Sequence, residues 1–215
     1  MRDYQVLAQD IAQTNNETEK ANQSRAAKFY RNTLIPKLES SLGSKCIGIQ
    51  WYDYNGPGGK QSNGIDGCFQ FENGMILNFQ EKTHLNDTLA GTTRRSTIYG
   101  DKCHALEIVN HGGRIGWVGH IKNVNFLFIF YKDCVVVVGN KDLSKLTAIT
   151  THGEEIYKFW DKSGRPEEQN VVFKGVTYRL KTIKERRSTS TTMITNLPES
   201  VITNQLKCRI KTYKA

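Results

Sequence analysis

Residues Asn63 to His84 read NGIDGCFQFENGMILNFQEKTH. Ile65 to Phe71 has strand character, Glu72-Asn73-Gly74 carries an Asn-Gly turn signal, and Met75 to Thr83 reads as the returning strand of a hairpin. Side chains alternate across a strand, so Met75, Leu77, Phe79 and Glu81 share one face, and Ile76, Asn78, Gln80 and Lys82 share the other. Asn78, Gln80 and Lys82 make that second face polar within an otherwise apolar strand. Asp66 opens the first strand, fourteen positions before Gln80. The segment NGPGGKQSNG (Asn55 to Gly64), dense in Gly, Asn and Pro, precedes it as a loop.

Working outward, Met1 to about Leu42 reads as helical. Val6, Ile11, Ala26, Phe29, Tyr30, Leu34 and Leu38 fall at rough helical spacing. The polar stretch Thr14 to Lys20 predicts a break, with Thr18 or Asn22 capping a second helix. Pro36 predicts a kink and Gly43 a stop. Cys46 to Tyr54 has strand character. Leu85 to Gly100 is polar and reads as a loop over a site. Asp101 to Asn110 fits helix or strand equally. Gly116 to His120, Val124 to Tyr131 and Cys134 to Val138 read as strands, the last two joined at Lys132-Asp133. Both of these runs are continuously apolar, which places them in the middle of a sheet. Leu143 to Trp160 predicts a short helix. Ser163 to Asn170 reads as a linker, and Val171 to Ile183 as a hairpin around Lys174-Gly175. The basic KCRIKTYK near the C-terminus reads as a strand. The expected class is α/β with a central mixed sheet flanked by helices. The expected division is a core over 1–160 and a basic, β-rich C-terminal extension over 161–215.

A chain of 215 residues is long enough to bury a core without staples. Its longest apolar run, Phe126 to Tyr131, falls far short of the roughly 20 residues a membrane helix requires. MRDYQVLAQD lacks the apolar core of a signal peptide, so a cytoplasmic location is expected. The net charge of +9 favours polyanionic partners, because lysine and arginine release counterions when they neutralise phosphates. The five cysteines are widely spaced with no C-x-x-C pair, which predicts reduced thiols and argues against zinc at Cys103-His104. Neither a G-x-x-x-x-G-K-[ST] loop nor a G-x-S-x-G elbow is present.

An Asp that opens one strand, with a Gln two residues before a Lys on the next, resembles the PD-(D/E)xK nuclease superfamily. Gly64-Ile65-Asp66-Gly67 followed by Gln80-Glu81-Lys82 is similar to the G-I-D-G and Q-x-K pair of Mrr-type restriction endonucleases, which share their core with Holliday-junction resolvases. The resemblance covers the hairpin and its preceding helix and strand, and does not reach the C-terminal third. It implies a restriction-endonuclease-like sheet and a Mg²⁺- or Mn²⁺-dependent endonuclease acting on DNA. It also implies dimers, because two strands need two sites. Asp66, Gln80 and the Glu81 backbone carbonyl would hold the metal. Lys82 would position the attacking water or stabilise developing charge. The Glu81 side chain would replace Gln80 if the strand carries a bulge. Such families often add an acid from the first helix, for which Glu19 and Glu39 are candidates.

Arg94, Arg95 and Arg114 are candidate nucleic-acid contacts, with Arg186, Arg187, Lys207, Arg209, Lys211 and Lys214 as further phosphate contacts. Trp51, Tyr52, Trp117 and Tyr178 are aromatic candidates for stacking on bases, and His84, two residues beyond Lys82, is a candidate phosphate contact. Because Gln80 removes one charge from the metal site, a non-catalytic nucleic-acid-binding protein on a degenerate nuclease fold stands as the alternative.

Overall fold

A computed structural model describes residues 17–52, 64–84, 103–106, 108–109, 115–121, 123–184 and 191–214. The first helical layer is continuous. Helix α1 (Glu17–Phe29) passes through a π-helical turn (Tyr30–Leu34) into α2 (Ile35–Leu42). Pro36 has no N–H, and its ring crowds the carbonyl four residues back. The helix meets this by widening: Ile35 N–H bonds the Tyr30 carbonyl five residues back, so the expected kink takes the form of a π turn. Gly43 ends the helix in the left-handed conformation (φ 62°) and donates to the Glu39 carbonyl at 2.9 Å. Helix α1 is already formed at Glu17, so Thr18 and Asn22 lie inside it and do not cap it.

A six-stranded mixed sheet carries the hairpin at its centre. Its strands are β1 (Cys46–Trp51), β2 (Gly67–Phe71), β3 (Ile76–His84), β5 (Phe126–Tyr131), β6 (Cys134–Gly139) and β10 (Ile210–Lys214), side by side in that order. All neighbours are antiparallel except β3 and β5, which are parallel. The second sheet has four strands in the order β4 (Cys103–Ala105), β9 (Thr191–Pro198), β8 (Val176–Lys184), β7 (Glu168–Phe173). Between β6 and β7 lie α3 (Asn140–Ala148), a 3₁₀ turn (Ile149–His152) and α4 (Gly153–Lys162), more helix than the single short one expected.

The β5–β6 hairpin turns at Lys132-Asp133 and lies inside the sheet, as its unbroken apolar runs predict. The β7–β8 turn places Lys174 and Gly175 at φ 47° and 76°, the double positive-φ pattern that matches strand twist in a two-residue loop. Over Gly116 to His120 the expected strand is a 3₁₀ turn (Trp117–His120), in which Gly119 N–H reaches the Gly116 carbonyl at 3.0 Å. Two glycines in five residues leave too few side chains to stabilise a strand there.

Strand alternation sends two apolar layers to opposite faces of the large sheet. On one, Tyr30, Phe69, Phe79 and Phe128 pack beneath α1 and α2, with Tyr30 4.9 Å from Phe69 and 4.8 Å from Phe128 between ring centroids. On the other, Leu127, Ile129, Val136 and Val138 meet Leu146, Trp160, Tyr178, Leu180 and Leu197 from α3, α4 and the second sheet. The division at residue 160 does not follow these layers. C-terminal β10 completes the first sheet, N-terminal β4 completes the second, and both sides of the boundary share one core. Among the described residues no helix is long and apolar enough to cross a membrane. Cys46, Cys68, Cys134 and Cys208 are buried.

Gly67 sits where β1, β2 and β3 converge. A Cβ there would lie 2.4 Å from both the Gln50 carbonyl oxygen and a Phe79 ring carbon. Gly67→Ala is expected to lower the unfolding free energy by about 1–3 kcal/mol, the usual cost of overpacking a core. Urea denaturation checks this, and an unchanged midpoint would contradict the close approach.

Candidate functional site

The Gly-Ile-Asp-Gly string fixes the approach to β2. Gly64 has φ 71°, and a Cβ on it would lie 2.7 Å from the His120 carbonyl oxygen, so glycine is required on two counts. Ile65 is buried. Asp66 donates its N–H to the Phe79 carbonyl at 2.9 Å, and its own carbonyl accepts the Tyr52 N–H at 2.8 Å. Its Oδ2 accepts the Glu81 N–H at 2.7 Å. The carboxylate thus bonds β3 at the point where the β2 ladder stops.

Register places the remaining motif residues. Gly67 pairs with Phe79 and Cys68 with Asn78, so Asp66 stands opposite Gln80 at the end of the hairpin. Strand β3 then pairs with β5 residue by residue, from Phe79 opposite Phe126 to His84 opposite Tyr131. No bulge interrupts this run, so Gln80, Lys82 and His84 share a face and the Glu81 side chain lies on the other. The bulged arrangement, with the Glu81 carboxyl taking the place of Gln80, is therefore not the one adopted, and only the Glu81 carbonyl remains as a donor. Gln80 is 4 % exposed, and its Oε1 is buried without a hydrogen-bond partner among the described residues. Leaving such an acceptor unsatisfied costs about 1–3 kcal/mol, and a cation would relieve it. The Lys82 ammonium lies 4.9 Å from the centroid of the Trp117 ring, a cation–π contact that occupies one of the proposed base-stacking aromatics.

Behind the strand, Glu81 Oε1 accepts hydrogen bonds from the Tyr30 hydroxyl and, at 3.2 Å, from Trp51 Nε1. Glu81 keeps part of its surface as a residue, but its carboxyl end turns inward onto these aromatics. Burial is the main force that raises its pKa to about 8; the Asp66 charge adds to the rise, while the bonds from Tyr30 and Trp51 and the Lys82 charge oppose it. Burial, with help from Glu81 and Asp66, also pushes the Tyr30 phenol well above its ordinary range, so it remains a donor.

Glu39 does not reach this place. Its carboxylate accepts the Cys46 N–H at 2.9 Å. Cys46 pairs with Phe71, while the site lies past Gly67 at the other end of β2, a strand's length or about 17 Å away. The side chain of Glu19, and Arg94, Arg95, Arg114, Arg186 and Arg187, lie outside the described residues. Lys207, Arg209, Lys211 and Lys214 are described and exposed. Tyr178 is fully buried and accepts no base.

In the sequence Tyr30 reads only as a helix-face residue. No local signal links Tyr30 to Glu81, because they are 51 positions apart. Among the described residues no group of three or more His, Cys, Asp or Glu could hold a metal ion. The donor set around Asp66 is of another kind: one carboxylate, one amide oxygen and one backbone carbonyl. Comparison with family models, with curated proteins and with solved structures finds no match.

A carboxyl whose folded pKa is raised binds its proton more tightly in the folded than in the unfolded chain. Glu81 therefore costs no stability below its unfolded pKa of about 4.5, and an increasing amount as pH rises from there through about 8. Glu81→Gln keeps an acceptor for Tyr30 and Trp51 and removes the titration. Its melting temperature is expected to match wild type near pH 4.5 and to exceed it at pH 8.5. A variant less stable than wild type across this whole range would contradict a protonated Glu81.

Proposed function

We propose that this protein is a metal-dependent endonuclease that hydrolyses phosphodiester bonds in DNA, on a restriction-endonuclease-like core. The observation that carries the reading is the register of β2 and β3. It sets Asp66 opposite a buried Gln80 whose oxygen lacks a partner among the described residues, with Lys82 next on the same face. The β1–β2–β3 meander followed by a parallel β5 agrees with the core that the motif implies. Asp66, Gln80 and the Glu81 carbonyl would hold Mg²⁺ or Mn²⁺, and the hard oxygen donors suit either ion. When bound, the ion supplies charge neutralisation at the phosphate and a more acidic water.

The chain's own residues do the rest. Asp66 fixes the end of β3 through the Glu81 amide. The Glu81 carboxyl, neutral near pH 7, anchors the strand without adding a competing negative charge. Lys82 orients the attacking water and stabilises charge developing on the phosphate. Exposed Lys207, Arg209, Lys211 and Lys214 bind backbone phosphates without reading sequence. Dimeric assembly and a cytoplasmic setting are part of the same proposal.

One observation favours a second reading. The Asp66 carboxylate already serves the Glu81 amide, and that role alone would suit a DNA-binding protein on a degenerate nuclease fold. Cleavage of supercoiled plasmid and of a four-way junction in Mg²⁺ or Mn²⁺ separates the two. Wild type is expected to cut, and Asp66→Ala and Lys82→Ala, with intact folds, to lose roughly 10²–10³-fold in rate, the scale of removing one electrostatic stabiliser. DNA binding with steep salt dependence, no cutting, and no effect of either substitution would favour the binding protein.

A further inference from the structure

Past Lys82, the polar face of β3 ends in a second set of chemical groups that the motif does not include. His84 follows Lys82 by two residues on the same face and pairs with Tyr131. Its imidazole stacks on the Tyr131 ring, with centroids 5.7 Å apart and planes inclined at 26°. The Tyr131 hydroxyl lies 2.8 Å from His104 Nδ1. The other ring nitrogen of His104 lies 3.4 Å from Glu199 Oε2. Glu199 follows β9 and His104 lies on β4, so this chain of contacts runs from the second sheet to the tip of β3. His104 is 1 % and Tyr131 4 % exposed, too buried to meet a substrate. His84 and Glu199, at the two ends of the chain, are half-buried, and His84 is the end that shares a strand face with Lys82.

We infer that His84 is the proton donor to the leaving group, and that Tyr131, His104 and Glu199 are positioning residues that hold its ring plane. This assignment rests on the phosphodiesterase reading and adds a residue to it. In an in-line displacement the attacking and leaving oxygens stand on opposite sides of phosphorus. Two residues along one strand face are spaced by about 6.6 Å. Lys82 at the attacking water and His84 at the departing oxygen match that separation. Histidine also exchanges its proton near neutral pH.

The step balances as hydrolysis. A bond forms between the water oxygen and phosphorus, and the bond from phosphorus to the bridging sugar oxygen breaks. The departing oxygen takes one proton from the His84 imidazolium and leaves as an alcohol. The water loses one proton to solvent, and His84 regains one from solvent. Rotation of the ring out of its plane would misdirect the N–H. The aromatic stack on Tyr131, worth about 0.5–1.5 kcal/mol, opposes that rotation. The hydrogen bond between Tyr131 and His104 holds Tyr131 in turn, with Glu199 beside the other nitrogen of His104.

The test uses two DNA duplexes that differ only at the scissile phosphate, one with the natural bridging oxygen and one with sulfur at the leaving position. The end groups of wild-type products identify that position. Thiolate leaves without protonation, so a missing proton donor is rescued by the sulfur substrate alone. His84→Ala and His84→Gln are each expected to cut the oxygen substrate roughly 10²–10⁴-fold more slowly than wild type, the usual contribution of general acid catalysis, and to cut the sulfur substrate within about 10-fold of wild type. Tyr131→Phe and His104→Gln should show smaller losses with the same rescue. Equal losses on both substrates, or no loss on either, would overturn the role of His84 while leaving the nuclease reading in place. Failure of wild type to cut either duplex removes the nuclease reading and this assignment with it.

Discussion

The unbroken two-residue alternation of Ile76–His84 governs the rest of the molecule. Strand β3 is paired antiparallel to β2 over Ile76–Phe79 and parallel to β5 over Phe79–His84, and the two ladders fix its faces from end to end. One face delivers Phe79 and the Glu81 carboxyl to the aromatic layer beneath α1 and α2. The other carries the buried Gln80 and the half-buried Lys82 and His84 in one row. A slip of one residue would exchange the two sets, burying a lysine among phenylalanines. The aromatic packing of Tyr30, Phe69, Phe79 and Phe128 and the polar row opposite are thus consequences of a single register. The π turn is part of the same constraint, because it begins at the residue whose hydroxyl holds Glu81.

The electrostatics follow from that arrangement. A carboxyl directed into an aromatic layer is stabilised in its neutral form, and Tyr30 and Trp51 both serve its Oε1. This removes a negative charge from behind the site, where it would compete with Asp66 for a cation. On the opposite face the amide of Gln80 contributes an oxygen and no charge. Asp66 is then the single charged donor of the proposed set, balanced by a nearby lysine. Such a site would bind a cation weakly without substrate, and the phosphate itself would supply the missing negative charge.

The hairpin, its Asn-Gly turn, its two faces and the paired apolar strands β5 and β6 are legible in the sequence because each depends on local alternation and turn chemistry. Glycine at 64 and 67 is visible as a motif, but its cause is tertiary: the close passage of His120 in one case and of Gln50 and Phe79 in the other. Glu39 looks eligible because sequence does not reveal which end of a strand a helix abuts. The 3₁₀ turn at Trp117–His120 and the exchange of β4 and β10 between sheets depend on long-range pairing, which composition does not encode. The chain from Glu199 through His104 and Tyr131 to His84 joins residues more than a hundred positions apart and is out of reach for the same reason.

Asp66, Gln80 and the Glu81 carbonyl make up the proposed cation site. Anomalous diffraction from crystals grown with Mn²⁺ and a short DNA duplex tests it most directly. The expected result is a peak within about 2.0–2.3 Å of an Asp66 carboxylate oxygen, of Gln80 Oε1 and of the Glu81 carbonyl oxygen, the range of direct coordination by oxygen. Manganese bound elsewhere in the complex, with Gln80 Oε1 still buried and uncoordinated, would contradict it.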